Sequence, residues 1–182
     1  MGFTTRNPKR VLFGLMLLLL GSIGAVTIGA IFAAPGDTLY PLGQQFDKMW
    51  ASRSISPAAR ARAHLYLAGQ QMADLETAIP NAPQSVEMIL VEWERAVREA
   101  VFNLAEAAPA DQEVLLELLV ETTRQGIETM TRLQKPSNSS RSTHLLAEQI
   151  TAANNIYRYA TARPPDMLAL LTLVKPLTLV KP

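Results

Sequence analysis

The chain has 182 residues, 48% of them hydrophobic and 18% charged, with a formal net charge of +1. This length suits one modest domain with an appended segment. The absence of cysteine excludes disulfide frameworks, thiolate zinc sites, iron–sulfur clusters and covalent haem attachment. Two histidines offer little for a metal site, and the balanced charge gives no basic excess for a nucleic-acid backbone. We therefore expect no metal, no cofactor and no nucleic-acid partner.

Residues 11–34 are predicted to form one transmembrane signal-anchor helix after a basic stub at residues 1–10. Residues 11–32 carry no ionisable side chain, and this run makes about 33 Å of helix, enough for a hydrocarbon core of about 30 Å. A cleaved signal peptide is the alternative, but its apolar region usually has about 7–15 residues. Because Arg6, Lys9 and Arg10 precede the run, the positive-inside rule places the N-terminus in the cytoplasm. The rest of the chain is then expected outside a bacterial plasma membrane, as a single-pass protein.

Small residues recur every four positions in the membrane segment, at Gly21, Ala25, Gly29 and Ala33. Such a strip lets another helix backbone approach closely. It predicts packing against a partner membrane helix, either a second copy or a different subunit. The alternative is that glycine and alanine are simply common in membrane helices.

Residues 35–55 are predicted to form a juxtamembrane turn and a short helix. The turn is built from Pro35, Gly36, Asp37, Leu39, Tyr40 and Pro41. Glycine permits a sharp turn and proline stiffens the chain as it leaves the bilayer. Tyr40 and Trp50 have two open interpretations: aromatic anchors at the membrane interface, or plugs at the base of the following domain.

Residues 56–163 are predicted to form a small antiparallel bundle of about four helices, which makes the fold class all-α. Ser56 and Pro57 have the residue types of a helix N-cap and first helical position. The predicted helices run from 56 to 79, 83 to 107, 110 to 134 and 142 to 161, each with apolar residues at steps of three and four. Their connections are short, which favours antiparallel neighbours.

Residues 164–182 are predicted to be an extended tail, since residues 171–176 and 177–182 are the same hexapeptide, Leu-Thr-Leu-Val-Lys-Pro. Proline at every sixth position forbids a continuous helix, and the intervening residues favour extended backbone. An apolar tail needs a surface to cover it; we expect docking on a partner, with folding back on its own bundle as the alternative. The partner-facing residues would be Leu171, Leu173, Val174, Leu177, Leu179 and Val180.

Residues 30–78 resemble a bacterial membrane-anchored domain family of unknown function. The likeness rests on Pro35-Gly36-Asp37-Thr38-Leu39-Tyr40-Pro41-Leu42 and on the Ala- and Arg-rich helix that starts at Ser56. Members carry a transmembrane helix followed by a Pro-Gly-Asp-x-Leu-Tyr-Pro turn, and some are associated with extracytoplasmic sigma-factor regulators. The resemblance implies a place in the cell envelope and supplies no catalytic residues.

Glu113, Glu117 and Glu121 line one helix face at intervals of four, in the most acidic part of the chain. Like charges at this spacing destabilise a helix slightly, so they indicate a solvated face or the surface for a basic partner. Glu92, Glu99 and Glu106 form a second line with the same alternatives, and His64 is interpreted as a boundary residue rather than a ligand. No nucleophile elbow or phosphate loop is present, so the chain is not expected to be an enzyme.

The sequence thus favours a non-catalytic, membrane-anchored accessory or scaffold subunit of a larger bacterial membrane assembly. Its expected partners are other membrane subunits, reached through the membrane helix and the tail, together with the bilayer, and no small-molecule substrate. An electron-transfer complex is one candidate host, in which this subunit would hold no redox centre. The alternative is an envelope-signalling or stress-sensing module related to sigma-factor regulation.

Overall fold

The computed structural model describes residues 16, 26, 29–30, 33–134, 140–162 and 164–174. Across those ranges the secondary structure is six α-helices and one 3-10 turn without strands, so the all-α prediction is confirmed. The helices are α1 Tyr40–Ser52, α2 Pro57–Asn81, α3 Val86–Glu106, α4 Pro109–Leu133, α5 Ser140–Thr161 and α6 Met167–Val174, with the 3-10 turn at Pro83–Ser85.

The predicted transmembrane helix falls mostly on residues that the structure does not describe, Gly21 and Ala25 among them. Within the described ranges, no helix combines the length and apolar character needed to cross a bilayer. The membrane anchor therefore stays a prediction.

The antiparallel pair α2 and α3 forms the centre of the bundle. The Oγ atom of Ser56 accepts a hydrogen bond from the backbone N–H of Ala59 at 3.2 Å and caps α2, as its residue type predicts. The predicted apolar stripes of both helices are buried, with Leu75 and Trp93 fully inaccessible. Because burial of a large apolar side chain contributes about 1.5–3 kcal/mol, this seam supplies much of the stability of the domain.

Trp93 of α3 packs against α4 where α4 carries Gly126. A Cβ atom placed on Gly126 would lie 2.9 Å from Cζ2 of the Trp93 indole, closer than van der Waals contact allows. The absence of a side chain at Gly126 therefore makes the room that this large ring occupies.

The spacing of apolar residues in α4 predicts an inward face made of Leu116, Leu119, Val120, Ile127, Met130 and Leu133. The observed inward face differs. Leu119 and Met130 are fully buried as predicted, but Leu116 and Val120 are only partly covered, and Leu115 is buried in their place. The helix is rotated so that part of its apolar face borders a groove on the surface.

The prediction of an extended tail is wrong for residues 167–174, which form the helix α6. Asp166 caps this helix, since its Oδ1 accepts from the backbone N–H of Ala169 at 2.8 Å. Leu170 is fully buried against α3 and α5. This part of the tail therefore packs on its own bundle, because burial of Leu170 outweighs the extended preference of Leu-Thr-Leu-Val. Docking of the tail on a partner stays a prediction. The predicted contact residues Leu177, Leu179 and Val180 lie outside the described residues.

Candidate functional site

A surface groove of about 730 Å³ runs along α4, and it contains all three glutamates of the predicted acidic line. The side chains of Leu104, Leu116 and Val120 give it an apolar lining. The opposite rim is formed by the end of α5 and the segment that leads into α6. The polar and rim residues are Gln112, Glu113, Glu117, Glu121, Thr161, Pro164, Pro165 and Met167.

The glutamates of the groove differ in how their charge is balanced. Glu121 accepts hydrogen bonds from Arg124 at 2.7 Å and from Gln125 at 2.6 Å, and the Arg124 contact holds the pKa of Glu121 below its usual value. Glu113 and Glu117 are exposed, and neither makes an ion pair or hydrogen bond within the described part of the chain. Two adjacent carboxylates are thus available to a cationic partner.

Exposed apolar side chains accompany these carboxylates on α4. Val114 is 54% exposed and Leu118 is 39% exposed. The predicted tail residue Leu171 is partly buried against the core instead, and Leu173 is 43% exposed. The structure therefore brings the acidic line together with Met167 at the start of α6 but not with Leu171 or Leu173. The side chain of Val174 lies outside what it describes.

The juxtamembrane motif forms a tight turn, as its residues predict. Asp37 closes the turn, since its Oδ2 accepts from the backbone N–H of Ala34 at 2.8 Å. Gly36 has a φ of +101°, a conformation that side-chain-bearing residues rarely adopt. A Cβ atom at Gly36 would also lie 2.9 Å from Cβ of Ala82. The turn is thereby packed against the connection between α2 and α3.

The two aromatic residues of the juxtamembrane segment have different environments. Tyr40 is only 4% exposed, and its hydroxyl donates a hydrogen bond to Oδ2 of Asp74 on α2 at 2.5 Å. Burial, with help from the Asp74 contact, raises the pKa of Tyr40; burial also raises the pKa of Asp74. Trp50, in contrast, is 77% exposed. Tyr40 therefore joins the bundle, whereas Trp50 does not plug its base.

The end of the small-residue strip contacts the domain itself. Ala30 is buried and its backbone carbonyl lies against Gly43 of α1. Ala33 packs on the core, and a Cβ atom at Gly29 would lie 3.1 Å from Cδ1 of Leu39. Packing of the strip against another membrane helix stays a prediction.

The sequence does not identify Gly43 or the polar cluster around Asp74 as important. Gln44 donates from Nε2 to Oδ2 of Asp74 at 3.4 Å, and its Oε1 accepts from Nε2 of Gln71 at 2.7 Å. The available signal is the polar Gln71 next to the inward apolar stripe of α2.

Comparison of the chain with protein-family models, with curated proteins and with solved structures finds no match. The family resemblance of residues 30–78 therefore stays a prediction. Across the ranges that the structure describes, no group of three or more histidine or carboxylate side chains is placed to hold a metal ion.

Proposed function

We propose that this chain is a non-catalytic, single-pass accessory or scaffold subunit of a bacterial membrane assembly. Its N-terminus would lie in the cytoplasm and its helical domain outside the membrane. The single observation that supports this function most is the groove on α4, in which Glu113 and Glu117 lie beside an apolar lining and have no ion-pair partner among the described residues. An electron-transfer complex is one candidate host for such a subunit.

The chemistry of the groove favours a basic amphipathic segment of another subunit as its occupant. Apolar side chains of that segment would contact Leu116 and Val120, as in helix-in-groove recognition. Its lysine or arginine side chains would pair with Glu113 and Glu117, relieving the repulsion between carboxylates one turn apart. Partly desolvated pairs of this kind contribute to partner selection and to the rate of association.

Charge reversal in the groove tests this function. In native membranes solubilised with a mild detergent, wild-type protein is expected to migrate in a large stoichiometric complex. The double variant Glu113→Lys, Glu117→Lys is expected to leave that complex, because the new cations repel a basic segment. Glu148→Lys is a matched control, since Glu148 is an exposed carboxylate on α5 outside the groove lining. Retention of the groove variant at wild-type stoichiometry would contradict the proposal.

An envelope-signalling module is the second candidate, supported by the contact between the membrane-proximal chain and the domain. The turn at Gly36 and the contact of Ala30 with Gly43 hold the end of the predicted membrane segment against α1. Such a junction is suited to passing a change in the domain to the membrane helix. This function predicts a monomer or transient pair in the same sizing experiment, and a partner released by an envelope stress signal.

A further inference from the structure

A second cavity, of about 250 Å³, lies among α1, α2 and α3 and shares no lining residue with the groove on α4. We call it the polar cleft. Its charged and polar walls are formed by Lys48, His64, Gln71, Glu92, Arg95 and Glu99. Leu67 and Ala96 give it an apolar middle.

The cations of the polar cleft are already paired. Glu92 accepts from Nζ of Lys48 at 2.6 Å and from a guanidinium nitrogen of Arg95 at 2.9 Å. The backbone carbonyl of Glu99 accepts from Nδ2 of Asn103 at 2.7 Å, but the side-chain carboxylate of Glu99 makes no ion pair or hydrogen bond within the part of the chain that the structure describes. Its carboxylate is therefore an unused acceptor at the His64 end of the cleft.

His64 adds a second acceptor at that end. It is 6% exposed, and burial lowers the pKa of its imidazole even though Glu99 acts in the opposite direction. The ring is therefore neutral at physiological pH, and a neutral imidazole offers one nitrogen as an acceptor. Among the described residues, the ring has no hydrogen-bond partner.

Gln71 provides an unused acceptor at the other end, and the hydrogen-bond chain behind it fixes its orientation. The carboxylate of Asp74 accepts from Nε2 of Gln44, so Oε1 of Gln44 points the other way and accepts from Nε2 of Gln71. Gln71 is only 3% exposed, and its Oε1 is buried without a hydrogen-bond partner among the described residues. A buried acceptor without a donor is unfavourable, and a bound donor removes that penalty.

We propose that the polar cleft binds a short aliphatic amine that carries a hydrogen-bond donor at each end. The ammonium group binds at Glu99 and His64, and the second donor binds at Oε1 of Gln71. Two helical turns separate His64 from Gln71, about 10 Å along α2, and the alkyl chain crosses Leu67 and Ala96 between them. Among the described residues that line the cleft, no Lys or Arg is free for an anionic group, because Lys48 and Arg95 share Glu92.

Isothermal titration calorimetry of the full chain in detergent micelles tests this proposal with four probes. 1,4-Diaminobutane and 4-aminobutan-1-ol are expected to bind saturably, since both have two donor ends. 1-Aminobutane, which cannot reach Gln71, is expected to bind about tenfold more weakly, the loss of roughly one hydrogen bond. Butane-1,4-diol lacks the cation for Glu99 and is expected to give no saturable heat.

Variants separate the two ends of the polar cleft. Glu99→Gln is expected to weaken binding of both bifunctional amines about tenfold or more. Gln71→Met is expected to make 1,4-diaminobutane and 1-aminobutane bind with equal affinity. Glu148→Gln, an exposed position on α5 outside both cavities, is the control and is expected to bind as wild type does.

Three outcomes would overturn the proposal: no saturable heat from either bifunctional amine, equal wild-type affinity for 1-aminobutane, or unchanged affinity in a folded Glu99→Gln variant. The wild-type probe series decides the matter even if a variant fails to fold. Loss of the groove-dependent complex leaves this proposal intact, because the two cavities share no residues.

Discussion

The backbone carbonyl of Ala30 lies against Gly43 of α1, so closely that a Cβ atom at position 43 would overlap it. The predicted membrane segment thus meets the domain through backbone contact, not only through side chains. Small residues permit this approach for the same reason that they allow close helix packing in bilayers.

Gly43→Ala is expected to weaken this junction, because the added methyl group forces Ala30 and α1 apart. Overpacking of this kind typically costs about 1–3 kcal/mol. Gly69→Ala is the control. A Cβ atom at Gly69 in α2 would have no described neighbour within 4 Å, so alanine there is expected to stabilise the domain by about 0.5–1 kcal/mol. Thermal unfolding of both variants in detergent micelles measures the two changes in stability. Equal effects of the two substitutions would show that the contact is not tight.

Tyr40→Phe is expected to destabilise the domain by about 1–3 kcal/mol, since Asp74 would lose its short hydrogen bond and retain only the longer one from Gln44. Tyr66→Phe is the matched control, because Tyr66 is 69% exposed. Denaturant unfolding gives both changes in the free energy of unfolding. A Tyr40→Phe variant as stable as the control would mean that the Asp74 contact contributes nothing.

The stability of the domain is expected to fall with rising pH through a contribution from Asp74. Its folded-state pKa is raised above the ordinary value of 3.8, chiefly by burial, with the Tyr40 hydrogen bond acting against the shift. The folded state therefore holds a proton that the unfolded chain releases more easily. This contribution is complete below pH 3.8 and is lost as the pH rises through the folded pKa.

Comparison of wild type with Asp74→Asn isolates that contribution. The variant cannot titrate at this position, so its advantage over wild type should grow as the pH rises through the same window. Asp47 of α1 lines a cavity of about 200 Å³ together with Asp74, and its pKa is also raised by burial and by Asp74. Asp47→Asn therefore provides a second comparison, in which the titration of Asp74 is retained. Parallel stability curves for wild type and Asp74→Asn would contradict the assignment to Asp74.

Leu170→Ala is expected to cost about 2–5 kcal/mol, the usual range for a fully buried leucine. Leu168→Ala, two residues earlier in α6 at a position 77% exposed, should change stability by less than about 0.5 kcal/mol. Truncation after Pro165 should therefore destabilise the domain, because it removes α6. If the Leu170→Ala variant unfolds at the same midpoint as wild type, α6 does not belong to the core.

The sequence predicts α2 and α3 well because their apolar stripes are regular and Ser56 marks a start. It fails at α6, where the Leu-Thr-Leu-Val pattern and the following prolines favour extended backbone while long-range burial of Leu170 decides the outcome. Asp166 directly after two prolines is the local signal for that helix, since it supplies the N-cap.

The groove on α4 and the polar cleft also differ in how far the sequence predicts them. The line of Glu113, Glu117 and Glu121 follows from helical periodicity alone, so the acidic wall of the groove is predictable. The polar cleft is not predictable from the sequence, because it depends on which residues of α1 face Gln71 of α2. That register is set by tertiary packing and by Gly43, not by any local pattern.

The contact between Trp93 and Gly126 couples the sizes of two positions that are far apart in the chain. Since the indole occupies the room that a side chain at 126 would need, the two residues share one fixed volume. A chain with the same fold and a larger residue at position 126 is expected to carry a smaller one at position 93. Such inverse size exchange would identify a distant relative even where little other sequence likeness survives.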